Sequence, residues 1–210
     1  MTVIVHHLED SRSQRVLWLL EELGVAYEVK RYNRDPVTRL APPELLAIHP
    51  LGKSPVIEID GAVFAETGAI FEALLDKFDS AHALHPASDD ARYADHRFWL
   101  HYAEGSAMTP LLLKMITGRL GDAAAPAMGF IDAQIALHAN YQESVVAKTG
   151  WLVGDTLTAA DIIMSFPVEA SATRSPIGDT FPALAAWVTK LHARPAYQAA
   201  LKSGGPYSYA

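Results

Sequence analysis

The chain has 210 residues, half of them hydrophobic and 20% charged, the balance of a protein with a substantial core in one large domain or two ordinary ones. A net charge of -7 argues against a general nucleic-acid binder, and the absence of cysteine excludes disulfides, thiolate metal sites and a protein thiol nucleophile. The opening Met1–His7 has no basic region followed by a long apolar run, and no stretch approaches the ~20 apolar residues of a membrane span, so the expected location is cytoplasmic.

Thr2 to Leu8 is a β-rich run. Ser11-Arg12-Ser13-Gln14 opens a helix whose apolar Val16, Leu20 and Leu23 recur at spacings of four and three, and Gly24 stops it. Tyr27 to Tyr32 alternates as a second strand, so strand, helix and strand form a right-handed parallel crossover. Pro42 to Leu46 offers a short helix. Lys53-Ser54-Pro55 then leads into two short apolar runs separated by Asp60-Gly61, a strong hairpin signal because both central residues of a type I′ turn need positive φ. Pro55 has no N–H to give a ladder and suits a strand's first position. Glu66-Thr67 opens a helix that carries Ile70, Phe71, Leu74, Leu75 and Phe78 on one face. That helix start has free N–H groups and a positive dipole end, which suit an anionic small molecule.

This order describes a small α/β domain over residues 1–78. Residues 79–89 lose periodicity and read as a linker, and every periodic segment over residues 90–210 is helical. Phe130, Ile131, Leu137 and Tyr141 form one stripe, and Leu184, Trp187, Val188 and Leu191 another. Thr158-Ala159-Ala160-Asp161 is a capping box with Asp in place of Glu, ahead of a segment that is apolar nearly all round. Its expected role is structural.

Taken together and in order, four segments resemble the cytosolic glutathione S-transferase family, especially its serine-type bacterial and fungal members. They are Ser11 to Leu23, Pro50 to Val56, Glu66-Thr67 before Ala69-Ile70, and Thr158 to Asp161. The resemblance covers essentially the full length. It implies a thioredoxin-like first domain, an all-helical second domain, a homodimer, and glutathione as co-substrate with no metal. It also implies that a small apolar electrophile meets the glutathione sulfur.

By that resemblance Ser11 donates a hydrogen bond to the sulfur. An ordinary thiol has a pKa of about 8.5, so only a few per cent is thiolate at neutral pH. Lowering it by about two units needs roughly 2.7 kcal/mol, which one charge-assisted hydrogen bond and a helix end can supply. The residues alone leave another reading open, since Ser11-x-x-Gln14 is itself a capping-box pattern. His7 and Ser13 are back-up donors, and Arg15 is expected to ion-pair within the fold. His6 and His7 point to opposite faces of one strand and make a poor metal pair.

The resemblance further implies that Ser54, before Pro55, offers its backbone N–H and C=O to the cysteinyl unit as an added strand would. Lys53 would meet the glycyl carboxylate, Glu66 the γ-glutamyl ammonium, and Thr67 the γ-glutamyl carboxylate. Thr67 stands where serine is more usual and keeps the hydroxyl. Tyr102, Ser106 and Thr109 are candidates for the electrophile site, while Tyr207 and Tyr209 either cover the cleft or belong to a frayed end. The alternative to an enzyme is a non-catalytic transferase-like binding or assembly module.

Overall fold

The computed structural model describes residues 2–173 and 180–210. The chain forms two compact units, one made of residues 1–84 and 192–210, the other of residues 85–191. In the first unit the strands are β1 (Val3–Leu8), β2 (Glu28–Tyr32), β3 (Val56–Ile59) and β4 (Ala62–Ala65), in the spatial order β2-β1-β3-β4. β1 and β2 run parallel, whereas β1–β3 and β3–β4 are antiparallel. The parallel pair is joined by α1 (Ser13–Leu23), as the expected crossover requires. Val16, Leu17, Leu19 and Leu20 of α1 are fully buried beside Val5, Ile57, Ile70 and Phe71. The hairpin is as read: Asp60 (φ 50°) and Gly61 (φ 86°) both take positive φ.

Two further helices belong to this half. α2 is Glu44–Ile48 and α3 is Thr67–Phe78. The segment read as a linker is organised by Asp79, whose carboxylate accepts from the N–H groups of Ala83 and Leu84, each at 2.8 Å.

The second unit is helical throughout its regular elements: α4 (Tyr93–Tyr102), α5 (Met108–Thr117), α6 (Ala125–Thr149), α7 (Ala159–Ala172) and α8 (Pro182–His192). A π-helical turn, Ala103–Ala107, joins α4 to α5. Its physical cause is Pro110, which has no N–H for the carbonyl four residues back and whose ring would crowd it. α7 is buried from Ala159 to Ala170 and holds its capping box, with Thr158 N–H donating to Asp161 Oδ2 at 2.9 Å. The Asp161 carboxylate also accepts from Leu152 N–H and Trp187 Nε1–H, each at 3.0 Å. The stripe on α6 is only partly covered: Ile131 is buried, but Phe130, Leu137 and Tyr141 stay exposed.

The chain's last helix departs from the sequence expectation of a single helical unit over residues 90–210. α9 (Pro195–Gly204) packs in the first unit, against α1. Trp18 meets Tyr197 edge to face at 5.1 Å, Arg194 pairs with Glu22, and Arg31 of β2 donates to Ser203 C=O. Beyond α9, Ser208 hydrogen-bonds the Asp10 carboxylate through N–H and hydroxyl, so the tyrosine-bearing tail is pinned beside the β1–α1 turn. Among the described residues no helix is long and apolar enough to cross a membrane.

Candidate active site

Ser11 lies in the turn between β1 and α1, just ahead of the helix, and is 5% exposed. Its Oγ accepts from Ser13 N–H at 3.2 Å and stands 2.7 Å from Ser13 Oγ. The hydroxyl therefore takes one N–H of the first turn, but the capping box does not form: Gln14 N–H, which it would give to the hydroxyl, donates to Ser11 C=O at 3.2 Å instead. The reciprocal half is missing too, because the buried Gln14 amide makes no hydrogen bond among the described residues. That contact engages a lone pair of Ser11 and not its hydroxyl proton.

The loop before β3 comes to the same place. Ser54 Oγ sits 3.4 Å from Ser11 Oγ and donates to His6 C=O at 3.2 Å. The Ser54–Pro55 peptide bond is cis, and Pro55 is buried. Among the described residues no backbone hydrogen bond uses Ser54 N–H or C=O. Lys53 is exposed and free of ion pairs among those residues.

Glu66 occupies φ 70°, ψ 123°, a conformation that side-chain-bearing residues rarely adopt and that costs of order 1–3 kcal/mol. That strain sits on an exposed carboxylate one residue ahead of α3. Thr67, the first residue of α3, is buried with its Oγ1 at 3.5 Å from Arg15 Nη2. Arg15 itself is fully buried on α1 and also donates to Arg12 C=O. The first unit thus gathers a hydroxyl, an open stretch of backbone, a carboxylate and a helix N-terminus, close to a buried guanidinium. Such a set can hold a small zwitterionic peptide and favour an anion beside the hydroxyl.

The strand histidines have separate environments. His6 is bridged between Tyr32 Oη and Glu58 Oε1, each at 2.8 Å. His7 Nδ1 lies 2.9 Å from Ser13 Oγ. Burial, aided by the Arg31 charge and opposed by Asp10, lowers the His7 pKa to about 4, so its ring is neutral near neutral pH. Among the described residues no group of three or more His, Cys, Asp or Glu could hold a metal ion.

Tyr102, Ser106 and Thr109 do not converge on one another through any hydrogen bond. Tyr102 Oη is 2.5 Å from His138 Nδ1 on α6, and burial raises its pKa to about 12. Thr109 Oγ1 donates back to Gly105 C=O at 3.1 Å, while Ser106 is half-buried on the π turn. The residues lining a concavity in the same unit include Ala107, Leu111, His138, Gln142, Pro167 and Ser171. No sequence signal marked His138 or Gln142, because each stands alone in a long helix with no companion at motif spacing.

The model of the glutathione S-transferase N-terminal domain matches residues 1–75, and that of the C-terminal domain matches residues 132–195. The chain belongs to the glutathione S-transferase family. It is 34% identical to glutathione S-transferase 1 of Saccharomyces cerevisiae, over 93% of this chain and 92% of that protein. It is 30% identical to glutathione S-transferase 3 of Schizosaccharomyces pombe, over 92% of this chain and 84% of the relative. Among solved structures, a glutathione S-transferase from Actinobacillus pleuropneumoniae superposes with a TM-score of 0.89 at 34% identity, covering 99% of this chain and 95% of that one. In this member of the family the N-terminal model ends inside α3, so it takes in Ser11, Ser54, Glu66 and Thr67 together.

Proposed function

We propose that the protein is a glutathione transferase that binds reduced glutathione in its first unit and uses Ser11 to hold the thiol as thiolate. The observation that carries this reading is the 3.4 Å approach of Ser11 Oγ to Ser54 Oγ, which joins a hydroxyl at a helix start to backbone free to pair with a peptide. In the proposed pose the cysteinyl unit pairs with Ser54 N–H and C=O. Lys53 then faces the glycyl carboxylate, with Pro55 shaping the turn. Glu66 takes the γ-glutamyl ammonium, and the Thr67 hydroxyl and N–H take the γ-glutamyl carboxylate. The strained Glu66 backbone supports a binding role, since strain of this kind collects where ligands are clamped.

The reaction proposed is displacement on an apolar electrophile. The S–H proton is released to solvent, the sulfur forms a bond to carbon, and the leaving group departs with its electron pair. Most of the acceleration then comes from thiolate population and proximity. Isomerisation, dehalogenation and peroxide reduction are open to the same thiolate, and Tyr102, Ser106 and Thr109 stay candidates for the electrophile side. The same reading carries a homodimer and a cytoplasmic location. Exposed Phe98, Phe130, Leu137 and Tyr141 on α4 and α6 support the dimer as apolar surface that a second copy would cover.

Calorimetric titration with glutathione, followed by turnover of a chloro-dinitrobenzene acceptor, tests this. Binding should be retained in Ser11→Ala while kcat/KM falls about a hundredfold, the cost of one donor to a developing or resident anion. No binding at millimolar glutathione would overturn the reading, and equal turnover in the two proteins would remove Ser11 from its role.

A further inference from the structure

The Ser11 hydroxyl does not stand alone: a buried hydrogen-bonded row runs from it through Ser13 to His7. All of its members are at most 5% exposed. An oxygen–oxygen separation of 2.7 Å needs a proton between Ser11 and Ser13, so one hydroxyl donates to the other. Which one donates is decided at the far end of the row, by the nitrogen of His7 that carries the ring proton.

With the proton on Nδ1, the ring donates to Ser13 Oγ and Ser13 donates to Ser11 Oγ. Ser11 then already accepts from Ser13 N–H and Ser13 hydroxyl, and its own proton points outward. With the proton on Nε2, Nδ1 must accept from Ser13. Ser11 is then drawn to donate inward, and no proton is left for a sulfur anion. Only the first case leaves the Ser11 proton free for a sulfur anion. Among the described residues Nε2 has no hydrogen-bond partner. α9 faces it with Gly204, where even a Cβ would lie 3.2 Å away. The neighbouring Ser203 carbonyl is already taken by Arg31. A Ser11 that donates to a sulfur anion therefore requires the His7 ring proton on Nδ1.

We propose that His7, acting through Ser13, is a positioning residue that turns the Ser11 hydroxyl proton toward the ligand's sulfur. The inference rests on the proposed role of Ser11. Donors in a row polarise one another in a dry environment, so the third donor is stronger than an isolated serine. The ring stays neutral while it does this. The charges that face it are Arg31 from β2 and Asp10 from the β1–α1 turn, with the uncharged Gln14 of α1 and Gly204 of α9 on the remaining sides.

The test uses the full chain and reduced glutathione, reading bound thiolate by its ultraviolet absorbance across pH. Ser13→Ala should leave about tenfold less thiolate at a fixed pH below the ordinary thiol range, and Ser13→Thr should recover it. Affinity for S-methylglutathione, which has no thiol to ionise, should stay within about twofold of wild type in both, since this contact acts only on the anion. His7→Asn, whose amide N–H can stand in for Nδ1–H, should behave as wild type, and His7→Phe as Ser13→Ala. A His7→Phe chain that does not fold leaves the Ser13 pair to decide. Nitrogen NMR of the imidazole should show the Nδ1–H tautomer when glutathione is bound. An Nε2–H tautomer, or a Ser13→Ala profile matching wild type while Ser11→Ala is shifted, overturns the relay and leaves the reading of Ser11 standing. An unshifted Ser11→Ala overturns both.

Discussion

His7 shows how burial of one side chain writes itself into pH dependence. In the unfolded chain its ring takes up a proton near pH 6.5, whereas in the fold it does so only near about 4. Between those values the unfolded chain binds more protons, so stability is complete above the window and falls as pH drops through it, by about 3 kcal/mol in all. His7→Asn removes the titrating group. Urea unfolding from neutral pH downward should therefore show a shallower loss in the variant than in wild type. A parallel loss in both would mean that other groups dominate acid unfolding. Ser11 was legible as a residue because it stands at a strand-to-helix turn within a dense local pattern. Its connection to His7 was not, because a hydroxyl's partner depends on rotamers that spacing along the chain does not encode.

At the scale of elements, local chemistry and tertiary demand agree in some places and compete in others. The Asp60-Gly61 hairpin and the Thr158–Asp161 cap were readable because their backbone needs are met within four residues. What the cap pattern did not disclose is its reach across the second unit. The buried Asp161 carboxylate also satisfies Leu152 N–H and the Trp187 indole, which ties α7 to the loop before it and to α8. Burial raises the Asp161 pKa, and the donors around it pull the other way. Asp161→Ala strips several buried donors of their acceptor and should cost about 3 kcal/mol or more in denaturant unfolding. Thr158→Ala should cost about 1 kcal/mol. A loss in Asp161→Ala no larger than that would reduce the box to an ordinary cap. The α6 stripe is the opposite case: an apolar period is real, yet most of it faces solvent within the single chain, and periodicity cannot say what covers a face.

On the scale of the whole molecule, the first unit is assembled from the two ends of the sequence. This was the least legible feature. α9 has the same helical pattern as its predecessors, and nothing in its composition announces that it packs on α1 rather than on its neighbours in sequence. Gly204 records the contact: a Cβ there would lie 2.5 Å from Gln14 Oε1 and 3.1 Å from Leu17 Cδ1. The Gln14 side chain can give way only in part, because it is buried. Gly204→Ala should therefore cost about 1–3 kcal/mol by overpacking and lower the melting temperature. An unchanged or raised melting temperature would mean that α9 shifts freely on α1.

A ribosome releases residues 2–84 well before it has made residues 195–204. Until then the nascent first unit has β1, α1, the hairpin and α3 in hand but lacks the cover over Trp18 and Leu17, so an apolar flank of α1 stays bare while residues 85–194 are made. Completing this half thus waits for residues 195–204, and chaperones that bind exposed apolar segments have that interval in which to act.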